Sequence, residues 1–163
     1  TVIRRCARLH LDHIRTSGDP FEQGSARPLD FGHWAAHKLE SLSRFRIGHG
    51  AAVAVGLALD SCYARRAGYL AAAPCAAILE GLAASGALRW YPELDRIDRH
   101  GRPALLDGLR EFQEHLGGRL CITLPRGIGH KREVHRMSTR RIELALDDVR
   151  AFLRWRSADA DPD

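Results

Sequence analysis

The chain has 163 residues, of which 45% are hydrophobic and 28% are charged, with a formal net charge of +5 at pH 7. This composition is ordinary for a globular protein, and the length suffices for a domain with its own core. The apolar stretch 51–59 is too short to cross a bilayer and ends at Asp60, so we expect no membrane partner.

The net positive charge comes mainly from arginine, and a basic protein can have nucleic acid as a partner. The arginines are spread along the chain, however, and alternate with acidic residues in segments such as 95–99. No aromatic–basic motif accompanies them. We therefore expect no nucleic-acid partner, and a few arginines kept for a phosphorylated small molecule.

The cysteines have no close-spaced pair, which favours free thiols in a reducing cytoplasm over a disulfide scaffold. Two of them, Cys62 and Cys75, stand in alanine-rich helical contexts and are predicted to be buried. The other two are Cys6 and Cys121.

Amphipathic stretches separated by glycine and proline predict a mainly helical chain. The predicted helices cover residues 2–14, 28–43, 49–68, 75–85, 103–115 and 138–155. One strand is predicted over residues 119–124, with a short return strand over 133–135. Residues 157–163 read as a frayed acidic tail. The predicted fold is therefore mainly α, with at most one small β-hairpin.

Three histidines close together are the strongest functional signal in the sequence. His33 and His37 are four residues apart, and His49 follows sixteen residues after the first. One helical turn places His33 and His37 on the same face, and the turn to the next helix returns His49 beside them. Convergent neutral imidazoles can hold a divalent metal. The alternative is a helical hairpin with hydrogen-bonded core or surface histidines.

The residues around these histidines resemble the second half of 3-dehydroquinate synthase and its sugar-phosphate cyclase relatives. The resemblance covers about residues 19–128 and is greatest to the dehydroquinate-synthase-like proteins of ebo-type gene clusters. It rests on Leu29-Asp30-Phe31-Gly32-His33-x-x-x-His37-x-x-Glu40, followed by His49-Gly50-x-x-Val53-Ala54-x-Gly56.

The resemblance implies a helical C-terminal domain that faces an NAD-binding α/β domain across a cleft holding NAD and a metal, zinc or cobalt. Residues 1–163 would then form one metal- and substrate-binding domain, with the N-terminal NAD-binding half outside this chain. The isolated chain would be inactive. The implied activity is that of a carbon–oxygen lyase, which eliminates phosphate from a sugar phosphate and closes a carbocycle. We also expect a homodimer.

By the family's motif, His33 and His49 would be metal ligands and His37 a substrate-contacting acid–base group. The family's third ligand, a glutamate, has no matching motif in residues 1–19. Arg27 would bind phosphate or carboxylate through its forked donors. Asp30 would orient a ligand imidazole or bind a substrate hydroxyl.

Four departures from the family pattern bear on the substrate. Ala51 replaces a glutamate beside the metal, and the family's arginine is displaced by one residue, at Arg27. Asp30 replaces an asparagine, and Gln113-Glu114-His115 replaces a lysine pair. Aspartate and histidine at these last two places resemble the cyclases that act on a seven-carbon sugar phosphate, which makes His115 a further candidate catalytic residue.

Two other functions remain open from the sequence. One is a metal-dependent polyol or glycerol-phosphate dehydrogenase, which shares the two-domain layout and also uses histidines on helices. The other is a non-catalytic helical module that binds a partner, which Ala51 and the missing lysines favour.

Overall fold

The computed structural model describes residues 1–16 and 30–159. The helices are α1 (Val2–Thr16), α2 (His33–Leu42), α3 (His49–Arg66), α4 (Ala72–Ala84), α5 (Asp107–His115) and α6 (Thr139–Asp159). Strands β1 (Ile122–Gly127) and β2 (His130–Val134) form an antiparallel hairpin. The predicted mainly α fold with one small hairpin is confirmed. No helix among the described residues is long and apolar enough to cross a membrane.

Helix α3 lies at the centre of the core. Its sequence is apolar or small around most of its circumference, which is typical of a helix buried on all sides. It packs against α2, α4, α6 and β1. The largest fully buried side chains around it include Trp34, Leu59 and Ile142. This central helix carries His49 at its first residue.

The start of α2 is fixed by a close backbone contact. The sequence predicts this helix from residue 28, but it begins at His33, and residues 28 and 29 lie outside the described range. Gly32 has φ +80, a left-handed conformation that ends the preceding turn. A Cβ on Gly56 of α3 would lie 2.0 Å from the carbonyl oxygen of Gly32. The two helices therefore approach each other through two glycines.

A buried carboxylate ties the same two helices together. Asp60 of α3 is fully buried and accepts hydrogen bonds from the Gly32 backbone N–H (3.0 Å) and Trp34 Nε1 (2.8 Å). Burial raises the pKa of Asp60 to about 7, although both hydrogen bonds favour the charged form. The sequence showed Asp60 as no more than the end of an apolar run.

The short connection between α2 and α3 is ordered by a buried serine. Ser43 Oγ donates to the Glu40 carbonyl (2.9 Å) and accepts from the Ile47 backbone N–H (3.2 Å). Arg44 and Phe45 adopt positive φ values of 54° and 57°, which is uncommon for residues with a side chain. This turn brings His49 back toward the beginning of α2.

The remaining helices confirm the predictions with shifted ends. Predicted helix 75–85 begins earlier, at Ala72, and predicted helix 103–115 opens with a 3₁₀ turn at Ala104–Leu106. The last helix begins after Ser138, whose Oγ accepts from the Arg141 backbone N–H (3.4 Å). The prediction of a frayed tail from residue 157 is wrong for residues 157–159, because α6 continues to Asp159. Residues 160–163 lie outside the described range.

The strands of the hairpin have different bounds from those predicted. The first strand begins at Ile122 rather than at residue 119. Its pairing with the second strand shifts in register between Pro125 and Gly127. The return strand occupies His130–Val134, so it starts before the predicted residue 133. Ile122 and Leu124 are fully buried against the helical core, which is why pairing begins there.

Candidate active site

Three imidazole rings form a cluster where α2 and α3 meet, which we call the histidine cluster (His33, His37 and His49). The ring centroids are 5.6 Å apart for His33 and His37, 5.4 Å for His33 and His49, and 6.1 Å for His37 and His49. The side chains of His37 and His49 are 59% and 56% exposed. The predicted convergence is confirmed, and the cluster is open to solvent.

Hydrogen bonds on the inner side of the cluster select the ring nitrogens that face outward. His33 Nδ1 lies 3.2 Å from the Phe31 carbonyl oxygen, which can only accept, so Nδ1 is the donor. His49 Nδ1 lies 3.2 Å from Glu40 Oε1 and donates to that carboxylate. In the neutral form of each ring, Nε2 then carries no proton and can bind a ligand.

Glu40 lies beneath the cluster and was quoted in the sequence motif without a role. Its side chain is 13% exposed, and Oε2 lies 3.6 Å from His37 Nδ1 while Oε1 contacts His49. The spacing of three residues from His37 places both on one helical face, which is the signal that could have identified it. Its contact with His49 depends on the turn between the helices and could not be read from helical spacing.

The separation of the His33 and His49 rings is compatible with two ligands of one metal ion. Two imidazoles on one tetrahedral zinc, with bonds of about 2.0–2.1 Å, place their centroids roughly 5 Å apart, close to the observed separation. Within residues 1–16 and 30–159, however, no group of three or more His, Cys, Asp or Glu side chains is arranged to hold an ion. A further ligand would have to come from outside the described residues.

His37 lies between the cluster and a neighbouring cavity. The cavity has a volume of about 230 Å³ and is lined by residues of α2 and α5, including His37 and His115. Burial, together with the nearby His33, lowers the pKa of His37, and Glu40 partly opposes this effect. The neutral imidazole is thereby favoured.

Tight packing of α5 on α2 brings His115 to this cavity. A Cβ on Gly108 would lie 2.7 Å from Lys38 Cβ, so the helices come close at this glycine. Lys38 Nζ, which is largely buried, pairs with Glu111 Oε1 at 2.5 Å and joins the same two helices. His115 ends α5, is exposed, and lines the cavity together with His37.

Two candidate residues remain, Asp30 and Arg27. Asp30 is partly buried and acts electrostatically on Cys121, next to β1. Arg27 lies outside the described residues, so its predicted role stays a prediction.

The family model described as 3-dehydroquinate synthase C-terminal matches residues 1–100. The chain belongs to this family. The resemblance inferred from the histidine motif is therefore confirmed, as is the fold that it implies.

Individual relatives extend this finding. A 2-deoxy-scyllo-inosose synthase from Streptomyces fradiae is 44% identical over 83 residues, or 51% of this chain and 19% of that protein. A 3-dehydroquinate synthase from Aeropyrum pernix is 33% identical over 116 residues, or 71% of this chain and 31% of that protein.

Among solved structures, ValA (2-epi-5-epi-valiolone synthase) from Streptomyces hygroscopicus subsp. jinggangensis 5008 is similar to this chain, with a TM-score of 0.73 and 27% identity. The match covers 93% of this chain and 40% of ValA, whose structure has NAD+ and Zn2+ bound. This member of the 3-dehydroquinate synthase family thus spans 19–40% of the length of these relatives.

Proposed function

We propose that the chain is the metal- and substrate-binding domain of a NAD- and zinc-dependent sugar-phosphate cyclase, a carbon–oxygen lyase. The observation that carries this proposal is the placement of His33 and His49 with ring centroids 5.4 Å apart and with Nδ1 of each ring facing an oxygen acceptor. The family match supports it, as do the zinc and NAD+ in the ValA structure.

In this proposal His33 and His49 hold zinc through Nε2, and the remaining protein ligand comes from an NAD-binding domain outside the described residues. Bound NAD and zinc would supply hydride transfer and Lewis-acid polarisation of a ring hydroxyl. The exposed ring faces of the histidine cluster suit such a cleft between two domains. We also propose that the active protein is a homodimer.

The other candidate residues then have separate roles. His37, beside the cavity, moves a proton to or from a substrate oxygen at Nε2, because its Nδ1 faces Glu40. His115, which lines the same cavity, contacts the substrate. We propose that Arg27 binds the phosphate and that Asp30 orients a substrate hydroxyl.

The substrate class proposed is a phosphorylated sugar, and the replacement of the family's lysine pair by Gln113-Glu114-His115 favours a seven-carbon one. The cytoplasm is the proposed location, which the four free cysteines support.

To test this proposal, the full-length protein is supplied with NAD and zinc. The release of inorganic phosphate is then measured with sedoheptulose 7-phosphate and with the 3-dehydroquinate synthase substrate. Release from the heptulose phosphate would support the proposal, and release from the other substrate would correct the sugar. Accumulation of reduced nicotinamide without phosphate would instead indicate a polyol dehydrogenase. A protein that binds zinc and NAD yet turns over neither sugar phosphate would contradict the cyclase assignment.

A further inference from the structure

Glu40 is a largely buried carboxylate that contacts histidine rings, whereas Asp60 accepts from backbone and indole N–H groups and two other acids contact arginines. Glu93 lies near Arg46, and Asp148 pairs with Arg65 and Arg66. Among the described residues, Glu40 has its ion-pairing contacts with two imidazoles and with no lysine or arginine. A carboxylate removed from water needs donors to replace its hydration. The two histidine rings therefore take the place of water around the Glu40 carboxylate.

The position of Glu40 explains why one carboxylate reaches two rings. Glu40 follows His37 by three residues on α2, so the two side chains share a face. His49 begins α3 and is brought over the same face by the turn at Ser43, whose hydroxyl donates to the Glu40 carbonyl. The backbone and the side chain of Glu40 are thus both held by the turn that positions His49.

We infer that Glu40 is a positioning residue that fixes the tautomer of His49 and the ring orientation of His37, an inference that rests on the proposed function. The hydrogen bond from His49 Nδ1 to Oε1 keeps the proton on that nitrogen, so Nε2 keeps its lone pair for the metal. Oε2 lies 3.6 Å from Nδ1 of His37, so Nδ1 of that ring faces Glu40 and its Nε2 points away from the carboxylate. One side chain therefore orients a metal ligand and the proposed proton carrier together.

The consequence is measurable in metal binding as well as in turnover. Loss of a carboxylate that supports a ligand histidine typically costs about 10–100-fold in metal affinity. In Glu40→Gln the volume is kept, but one carboxylate oxygen becomes an amide NH2, which cannot accept from an imidazole N–H. The two rings then compete for one acceptor.

The matched control is Glu93→Gln. Glu93 is similarly buried, with a side chain 10% exposed, and it contacts Arg46 rather than a histidine. It also lies in a 3₁₀ turn packed against α2, so its replacement reports any general effect of losing a buried charge next to that helix. Thermal unfolding of both variants is measured to check that they fold.

The experiment uses the full-length protein and two readouts. Histidine-ring ¹⁵N spectra of the metal-free protein report the tautomers, and competition with a chromophoric chelator reports the zinc affinity. We expect the Nδ1–H tautomer at His49 in the parent and in Glu93→Gln. In Glu40→Gln we expect a mixture of tautomers and zinc affinity about 10-fold lower or worse.

The inference is overturned if His49 carries its proton on Nε2 in the unmutated protein, a measurement that needs no variant to fold. It is also overturned if Glu40→Gln and Glu93→Gln bind zinc equally well. A parent protein that shows the Nδ1–H tautomer but binds no zinc contradicts the proposed function while supporting the role of Glu40 in ring orientation. The two failures are therefore distinguishable.

Discussion

The carbonyl oxygen of Gly32 occupies the space that a side chain on Gly56 would need, since a Cβ there would lie 2.0 Å away. That contact sets the distance between α2 and α3, and with it the distance between His33 and His49. Glycine at both positions is therefore a condition for the histidine cluster.

Replacing Gly56 with alanine is expected to destabilise the protein by at least about 1–3 kcal/mol, the usual cost of overpacking, because the atom it meets is backbone. The measurement is the free energy of unfolding in denaturant. Gly81→Ala is the control, since Gly81 lies in α4 with nothing within 4 Å of its Cβ position, and it should stabilise by about 0.4–1 kcal/mol. Equal stability of the two variants would show that the helices separate without cost.

The buried carboxyl group of Asp60 is expected to make the free energy of unfolding depend on pH. Burial raises its pKa from 3.8 to about 7, so the folded protein binds this proton more tightly than the unfolded chain. Asp60 therefore contributes most to the free energy of unfolding below pH 4. As the pH rises to about 7, the free energy of unfolding falls by on the order of 4 kcal/mol.

Asp60→Asn isolates this effect, because asparagine does not titrate. The stability of the parent relative to Asp60→Asn should fall between pH 4 and pH 7 and then level off. Denaturant unfolding of both proteins across that range gives the comparison. Parallel stability curves would mean that the Asp60 carboxyl group titrates alike in the folded and unfolded states.

The histidines of the cluster should separate into ligands and a proton carrier in the full-length protein. His33→Ala should lose zinc and turnover together, since it removes a ligand. His37→Ala should retain zinc and lose turnover by on the order of 10²–10⁴-fold. Metal content and phosphate release are measured side by side.

His135→Ala is the control for those variants, because His135 is exposed and its ring contacts the Leu120 carbonyl. It should keep both properties. Phosphate release by His37→Ala at the parental rate would make His37 a structural residue.

The cysteines should differ in reactivity according to burial. Cys6 is exposed, Cys121 is intermediate, and Cys62 and Cys75 are buried. The pKa of Cys62 is raised by its hydrogen bond with Cys75 and by burial, and burial also raises that of Cys121.

A thiol reagent should therefore label Cys6 first and Cys121 more slowly, and label Cys62 and Cys75 after unfolding. Peptide mass spectrometry of native and denatured samples identifies each site. Native labelling of Cys75 at the rate of Cys6 would show that the interface between α3 and α4 opens readily.

The sequence predicted the helices, the hairpin and the approach of the three histidines, because these follow from periodicity and from the length of one turn. It did not predict that α2 begins at His33, because that boundary depends on the contact of Gly32 with Gly56, far along the chain. The functions of Asp60 and Glu40 were missed for the same reason. Each acts through a hydrogen bond to another element, and residue spacing within one helix cannot show such a partner.

The histidine cluster and Glu40 all lie between positions 33 and 49, within one helix–turn–helix. Contacts between residues so close in sequence form early in folding, because little chain entropy is lost in closing the intervening loop. We expect this hairpin to order its rings before the β1–β2 hairpin and α6 complete the core. The histidine cluster would then be a local folding unit, assembled ahead of the domain that it belongs to.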